Sequence, residues 1–264
     1  MAAERGFRRS GKKVKYYVLS DIHGFYAHFV QSLETAGYFS DTGEKKLVIL
    51  GDLFDRGKDA VRLQEYISEL IDTDSVILIR GNHEDLFCNM VTEDGGLPYS
   101  HHISNGTYDT GIQLTGYQPE RTKVDCAVFA EKARQTEYYT KIIPAMRDYF
   151  ETEHYIFVHG WIPCVRESYD RYSSYIGSWR MASKTDWARA RWYNGIDAGQ
   201  AVTEAGKTII CGHWHCSYGH NRYEHRGSQF DGDAVFTPYY APGMIAIDAC
   251  TTVSGMVNCI VVED

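Results

Sequence analysis

The sequence predicts an α/β fold in which parallel strands are covered by helices on both faces. In the first ninety residues, short and nearly continuous apolar runs alternate with segments of helical periodicity. That alternation is typical of parallel strands whose two faces are both buried. Polar, glycine-flanked motifs directly follow the runs, as they do at the carboxyl edge of an open α/β sheet. With 264 residues, of which 44% are hydrophobic and 23% charged, the chain can bury a large core.

The N-terminal third predicts three strands joined by helices. Apolar runs at 15–20, 46–50 and 75–80 predict the strands. The spacing of apolar residues predicts helices over 25–36, 60–71 and from 84 to about 90, and Gly37 ends the first of them. Crossover helices between neighbouring strands require those strands to be parallel.

The remainder of the chain begins with a segment that lacks apolar periodicity. Residues 92–118 are rich in Gly, Ser, Thr, Asn and His and predict a long loop, which in a compact chain is usually functional or mobile. A helical pattern returns over 119–150, and residues 161–206 predict loop and helix. Further strands are predicted at 155–158, 208–210, 244–247 and 256–262. We expect one domain over residues 15–264.

The charge is unevenly distributed. Residues 1–15 contain six cationic side chains and Glu4, which gives them a net charge of +5. Because the whole chain has a net charge of −8, the remaining residues carry −13. We expect residues 1–14 to form a disordered basic arm. The acidic body repels nucleic-acid backbones, so no nucleic-acid partner is expected.

Two further patterns bear on cellular location. The sequence has no run of about 18 apolar residues and no apolar segment after the basic N-terminus, so we expect neither a membrane span nor a secretory signal. Seven cysteines, an odd number without C-x-x-C spacing, are typical of reduced thiols. We therefore expect a cytoplasmic protein.

Residues that can bind metals follow five of the predicted strands. The motifs are DIHG at 21–24, GDLFDRG at 51–57, GNHE at 81–84, HG at 159–160 and GHWH at 212–215. Because the carboxyl ends of parallel strands meet at one edge, their side chains should face one crevice. Carboxylate and amide oxygens combined with imidazoles suit Mn, Fe or Zn better than Ca or Mg alone.

Each motif alone has an ordinary structural explanation. A single His or Asp after a strand is more often a hydrogen-bonded turn residue than a ligand. Five glycine-flanked motifs, each at the end of a strand and in chain order, would rarely arise as unrelated turns. Together they predict a dinuclear metal site.

The ordered motifs resemble those of the metallophosphoesterases. The Arg-Gly after the second motif and the Glu after GNH are similar to the phosphoprotein phosphatase branch, in its bacterial and phage form. Two further segments share this resemblance, residues 105–110 and the Ile247-Asp248-Ala249 segment before the last strand. The resemblance implies a four-layer α/β/β/α sandwich that binds two divalent metal ions, with Mn first and Fe or Zn as alternatives.

The resemblance also assigns metal ligands. It implies that Asp21 and His23 hold the first metal, that Asp52 bridges both metals, and that Asn82, His159 and His213 hold the second. His215 departs from the phosphatase pattern, which usually has one His in this motif. It is similar to the second His of the wider superfamily, which ligates the first metal.

Three residues are implied in catalysis. The resemblance makes His83 the general acid for the leaving alkoxide, with Asp55 orienting its imidazole. Arg56 offers a planar bidentate fork for phosphoryl oxygens. Two metals together clamp a phosphoryl group and ionise a bridging water, so the implied reaction is in-line attack by a hydroxide.

A second phosphate-binding arginine is expected in segment 186–192. Arg189 and Arg191 are the candidates for substrate binding, and they face different ways on a helix, so we expect one to reach the metals.

The implied function is metal-dependent hydrolysis of phosphomonoesters, including phosphoserine or phosphothreonine in proteins. The alternative substrates are dinucleoside polyphosphates or other nucleotides. A catalytically silent metal-binding scaffold is a third hypothesis, but it would not need His83, Asp55 and Arg56. The motifs do not predict an oligomeric state.

Overall fold

Two β-sheets lie face to face between two layers of helices in this protein. The computed structural model describes residues 13–92, 100–118 and 125–264. The first sheet has the order β11-β1-β2-β3, formed by Cys259–Glu263, Lys15–Leu19, Lys45–Ile49 and Val76–Leu78. In it β1, β2 and β3 are parallel and β11 is antiparallel to β1.

The second sheet has five strands in the order β4-β5-β8-β10-β9. They are Phe150–Glu151, Tyr155–Phe157, Thr208–Cys211, Met244–Ala246 and Tyr239–Ala241. The central strands β5, β8 and β10 are parallel, and the two edge strands are antiparallel to their neighbours. A separate hairpin pairs β6, Val165–Arg166, with β7, Tyr172–Ser173.

The helices of the N-terminal half cover the first sheet. They are α1 Tyr26–Thr35, α2 Ala60–Asp72, α3 Asn82–Thr92, α4 Ser100–Ser104, α5 Thr107–Thr115 and α6 Cys126–Ala133. A π-helical turn at Tyr138–Ile142 leads into α7, Ile143–Ala145.

The helices of the C-terminal half, except the last one, pack on the second sheet. They are a 3₁₀ turn at Trp179–Met181, α8 Lys184–Ala190, α9 Gly195–Ala198, α10 Cys216–Glu224 and α11 Thr251–Ser254. In the parts of the chain that the structure describes, no helix combines the length and the hydropathy that crossing a lipid bilayer requires.

Alternate strand residues point into different apolar layers. In β2, Leu47 and Ile49 pack with the helices of the N-terminal half, whereas Val48 points between the sheets. In β8, Ile209 and Ile210 divide in the same way between the C-terminal helices and the space between the sheets. This period of two, with both faces buried, explains why the strands are continuous apolar runs. The α/β/β/α sandwich expected from the sequence is confirmed.

The predicted loop at 92–118 is wrong where the structure describes it, because α4 and α5 lie there. Thr107, Thr110 and Gly111 form the buried face of α5, so the helix has almost no apolar periodicity to detect. A Cβ on Gly111 would come within 2.5 Å of the Phe129 ring, so glycine is what allows α5 and α6 to pack closely. Residues 93–99 lie outside the described part of the chain.

The predicted basic arm is only partly described. Residues 1–12 lie outside the described residues. Val14 already pairs with the last strand, since its N–H donates to the Asp264 carbonyl at 2.9 Å and its carbonyl accepts from the Asp264 N–H at 3.1 Å. The ordered pairing therefore starts one residue before the predicted boundary.

Candidate metal centre and active-site cleft

The loops after the parallel strands are joined to one another by backbone hydrogen bonds. The N–H groups of Asp21 and His23 donate to the carbonyls of Gly51 and Asp52, at 3.3 and 3.0 Å. The Gly212 N–H donates to the His159 carbonyl at 2.8 Å, which joins two loops of the second sheet. The structure thus fixes the positions of the side chains that follow the strands.

Six residues of these loops adopt left-handed backbone conformations. They are Asp21, His23, Asp52, Asp55, Arg56 and His213, with φ between 51° and 74°. Such conformations cost of order 1–3 kcal/mol each for residues with a Cβ, and they persist only where the surrounding structure imposes them. Their concentration around one cleft marks it as a functional site.

Glu84 organises the base of the cleft. Its carboxylate accepts from the N–H groups of Asp52, Leu53 and Gly81 at 3.0, 3.0 and 2.7 Å. A Cβ on Gly81 would lie 2.6 Å from the Asp52 nitrogen, so only glycine permits this close approach. Glu84 therefore fixes Asp52, which is a structural role that the motifs alone did not assign.

The candidate ligands surround a cleft of about 360 Å³. Asp21, His23, Asp52, Asn82, His83, His213, His215 and Arg56 line it. His159 lies beneath it, fully buried, and its Nε2 is 2.8 Å from Asn82 Oδ1. The structure therefore brings every sequence-predicted ligand to one place.

Two compact groups of donor atoms share one carboxylate. The first consists of His23, Asp52 and His83, and the second of Asp52, His159 and His213; the ligand atoms within each lie within 4.8 Å of one another. His159 Nε2 is 3.4 Å from Asp52 Oδ1, and His23 Nε2 is 3.9 Å from Asp52 Oδ2. This is the arrangement expected if Asp52 bridges two cations.

The charges of the site suit bound cations. Burial, followed by the charge of Asp248, holds the pKa of Asp21 well above its usual value, and burial and Asp21 raise the pKa of Asp52. Divalent cations would favour the ionised forms and offset the cost of burying these carboxylates together. Because oxygen and imidazole donors converge on Asp52, the residues present fit a pair of divalent metal ions.

The imidazoles are prepared for ligation. Burial lowers the pKa of His213 to about 3 and that of His215 to about 4, and it holds the pKa of His159 well below the usual value. A neutral imidazole is the form that binds metals. His159 Nδ1 lies 2.6 Å from the Leu50 carbonyl, and His23 Nδ1 lies 2.9 Å from the Phe54 carbonyl. Donation to these carbonyls leaves each Nε2 lone pair toward the cleft.

His215 lies at the edge of the same cleft. Its imidazole packs against the Phe230 ring with centroids 4.6 Å apart, and its Nδ1 is 2.8 Å from Ser217 Oγ. Neither compact donor group contains His215. Its ligation of the first metal therefore stays a prediction.

His83 and Asp55 form a buried pair beside the metal ligands. His83 Nδ1 is 2.6 Å from Asp55 Oδ2, and both side chains are at most 5% exposed. Thr107 and Thr110 on α5 donate their hydroxyls to the two Asp55 oxygens at 2.8 and 2.7 Å. The helix that the sequence analysis missed is therefore what fixes the carboxylate behind His83. The sequence signal for this support was segment 105–110, through its resemblance to the bacterial and phage phosphatases.

The two candidate arginines at 189 and 191 do not line the metal cleft, contrary to expectation. Arg191 is held by Asp85 and Asp148, each at 2.7 Å, and its side chain is 8% exposed. Arg189 is 68% exposed and lines a neighbouring cavity. Helical spacing predicts that the side chains of Arg189 and Arg191 point in different directions. The sequence does not indicate that Asp85 and Asp148 bind Arg191.

The structure adds residues to the cleft that the sequence analysis did not assign to it. They are Asn105, Trp192, Phe230, Asp248 and residues 250–253. Thr251 anchors this last segment, because its hydroxyl donates to the Asp21 carbonyl at 2.9 Å. Two of them carried a signal in the sequence, Asn105 through segment 105–110 and Asp248 through its place in the segment before the last strand.

Comparison with known proteins agrees with this geometry. The family model described as Metallophos, calcineurin-like phosphoesterase, matches residues 14–235. The chain is 34% identical over 76 residues to the asymmetrical bis(5'-nucleosyl)-tetraphosphatase PrpE of Geobacillus sp. (strain WCH70), which covers 26% of this chain and 31% of that one. It is 31% identical over 117 residues to its counterpart from Bacillus velezensis, which covers 41% and 45%. The matches thus span less than half the length of these relatives.

Solved structures share the fold at low sequence identity. A mutant cold-active protein tyrosine phosphatase superposes with a TM-score of 0.53 and 17% identity, covering 95% of this chain and 75% of that one. A protein serine/threonine phosphatase from Saccharomyces cerevisiae gives 0.50 and 13%, covering 95% and 79%. With a family match over most of its length and candidate ligands clustered around Asp52, the chain belongs to the calcineurin-like phosphoesterase family.

Proposed function

We propose that this protein hydrolyses the phosphoanhydride bonds of dinucleoside polyphosphates with the help of two divalent metal ions. The observation that carries the proposal is that Asp52 belongs to both donor groups in a cleft that His83 and Arg56 also line. That constellation suits transfer of a phosphoryl group to water. The choice of substrate is supported by the relatives, which are named bis(5'-nucleosyl)-tetraphosphatases.

The first metal would be held by Asp21, His23 and His215, the second by Asn82, His159 and His213, and Asp52 would contact both. We propose Mn, because mixed carboxylate, amide and imidazole donors suit it, with Fe and Zn as alternatives. When bound, two divalent ions neutralise phosphoryl oxygens and acidify water for attack on phosphorus.

The chain's own groups would bind the phosphate and supply a proton. Arg56 is exposed on the wall of the cleft, where its guanidinium can donate two parallel hydrogen bonds to phosphoryl oxygens. Water attacks phosphorus and releases a proton to solvent, the bond to the bridging oxygen breaks, and that oxygen leaves with the bonding electrons. His83 then donates its Nε2 proton to the departing oxygen, while Asp55 keeps Nδ1 protonated through the 2.6 Å contact.

A substrate panel on the manganese-loaded full chain tests the proposal. We expect diadenosine tetraphosphate to be hydrolysed with a kcat/KM at least tenfold above that of a phosphoserine peptide. Nucleotide chromatography identifies the products: AMP with ATP shows asymmetrical cleavage, and ADP alone shows symmetrical cleavage. Asp52→Asn should abolish turnover, whereas the matched control Asp72→Asn, 67% exposed on α2, should leave it intact.

Preferential hydrolysis of the phosphoserine peptide would overturn the choice of substrate and restore the phosphomonoester expectation. Absence of turnover on every substrate, with two metals bound, would favour the silent scaffold. We also propose a reducing, cytoplasmic location, which the buried free thiols of Cys164, Cys211 and Cys216 support.

A further inference from the structure

A second cavity, of about 510 Å³, opens next to the metal cleft. The hairpin β6–β7 contributes Val165 and Arg166, and α8 with the turn after it contributes Arg189, Trp192 and Tyr193. Trp192 belongs to the lining of both spaces, so we call the second one the Trp192 cavity. Its volume lies within the range of about 300–1,000 Å³ that small-molecule sites occupy.

Trp192 stands between the candidate metal ligands and this cavity. Its ring centroid is 6.0 Å from that of His213, at an interplanar angle of 83°. The indole nevertheless stays 47% exposed. An exposed tryptophan fixed beside a catalytic cleft offers a stacking surface for a planar ligand.

One part of the remaining lining is apolar and consists of Cys164, Val165 and the Tyr193 ring. The Tyr193 hydroxyl donates to the Cys164 carbonyl at 3.2 Å, and its ring packs on Tyr172 with centroids 5.4 Å apart. Val165 is 40% exposed in the same cavity. These side chains supply an apolar surface whose burial would favour an aromatic heterocycle over a hydrated polar group.

The Trp192 cavity is also lined by two arginines, Arg166 and Arg189, although the protein as a whole is acidic. Arg189 lies 3.6 Å from Asp186 Oδ1 and is 68% exposed, so this surface pair contributes little. The other oxygen, Asp186 Oδ2, already accepts from the Tyr175 hydroxyl at 2.9 Å. Arg166 donates to the neutral carbonyls of Ser168 and Tyr169, so its charge remains available to an anion. An aromatic surface beside two guanidiniums matches a nucleobase joined to phosphates.

We propose that the Trp192 cavity binds one nucleoside of a dinucleoside polyphosphate, with the base against Trp192 and the phosphate chain running past Arg189 toward the metal cleft. This inference rests on the proposed function and extends it to substrate selection. It also gives Arg189 a role in binding phosphates remote from the reacting bond, rather than at the metals.

Kinetics on two substrates test the inference in the manganese-loaded full chain. Arg189→Gln and Val165→Glu should lower kcat/KM for diadenosine tetraphosphate by roughly tenfold or more, mainly through KM, because each removes or opposes attraction of the phosphates. The loss for para-nitrophenyl phosphate, which has one phosphate and no nucleoside, should be less than threefold. Arg62→Gln serves as the matched control, since that side chain lies over Tyr26 on the first-sheet side.

Direct binding separates this inference from the proposed function. Calorimetry with ADP should show binding to wild type and roughly tenfold weaker binding to Arg189→Gln, whether or not the tetraphosphate is hydrolysed. ADP binding that Arg189→Gln and Val165→Glu leave unchanged, or no ADP binding at all, would overturn the cavity assignment. Equal losses of kcat/KM on both substrates would also overturn the assignment. A loss confined to phosphoserine peptides would overturn it too, and would assign the cavity to peptide side chains. Failure of tetraphosphate hydrolysis with ADP still bound at Arg189 would overturn only the reaction.

Discussion

The His83→Asn substitution tests whether the His83 imidazole donates a proton or holds a metal ion. The structure allows both roles, because His83 is paired with Asp55 at 2.6 Å and its Nε2 also lies 3.8 Å from Asp52 Oδ2. The two roles predict different dependence on the leaving group. An alkoxide must receive a proton as it departs, whereas a phosphate leaving group, with a pKa of about 6, departs far more readily.

The expected magnitude follows from the fixed geometry of the pair. The Asp55 carboxylate receives hydrogen bonds from His83, Thr107 and Thr110 and is 2% exposed, so the imidazole is held in one orientation. General acid catalysis is typically worth about 10²–10⁴-fold, or roughly 3–5 kcal/mol. We expect His83→Asn to slow a phosphoserine peptide by about 10³-fold, and diadenosine tetraphosphate and para-nitrophenyl phosphate by about tenfold.

The assay measures kcat/KM on these three substrates, together with metal content by elemental analysis. Asp55→Asn should show the same bias with smaller losses, since it acts through His83. His225→Asn is a matched control, because His225 is exposed at the end of α10 and does not line the metal cleft. Equal slowing of all three substrates with two metals bound would refute the proton-donor role. Loss of one metal per chain would instead identify His83 as a ligand.

Three further predictions concern metal content, the support of Asp55, and pH. Asp52→Asn should lose both metals because they share this carboxylate, while Asp72→Asn should retain them; elemental analysis showing two metals in the first variant would contradict the bridge. Thr110→Val removes the hydroxyl bonded to the N–H and to Oδ1 of Asp55, so urea unfolding should show a loss of about 1–3 kcal/mol. The pKa of Glu151 is lowered to about 2, and the largest cause is its hydrogen bonding to Arg180. Glu151 therefore contributes stability above pH 4.5, which is lost as the pH falls toward 2, and Glu151→Gln should cost about 1–2 kcal/mol at pH 7. A difference from wild type that does not shrink near pH 3 would refute this assignment.

The strands and the motifs after them were predictable because burial on both faces makes the strands continuous in apolar character. The runs at 46–50 and 208–210 correspond to β2, Lys45–Ile49, and β8, Thr208–Cys211. The hairpin β6–β7 escaped prediction because its strands have two residues each, too few to show a period. The segment containing α5 escaped for another reason, since its buried face consists of threonines and a glycine.

The site was predictable where it depends on order along the chain, and less so where it depends on distant partners. Asp52 and His213 could be placed together because both follow parallel strands. The position of the Arg191 side chain depends on Asp85 and Asp148, which lie 106 and 43 residues away in the sequence. No sequence pattern links these residues to Arg191. For the same reason, the three N–H groups that Glu84 binds could not be inferred from its place in the third motif.

The division of the candidate ligands between the two sheets has a consequence for folding. The first donor group draws only on loops of the first sheet, but the second joins Asp52 to His159 and His213 on the second sheet. A cation there would act as a cross-link that closes a loop of more than a hundred residues, as a disulfide does. Its binding energy would then hold the two halves of the sandwich against separation. Removal of the metal by a chelator should weaken the packing between the two sheets before it unfolds either sheet. The metal would then stabilise the tertiary structure in addition to its role in the reaction.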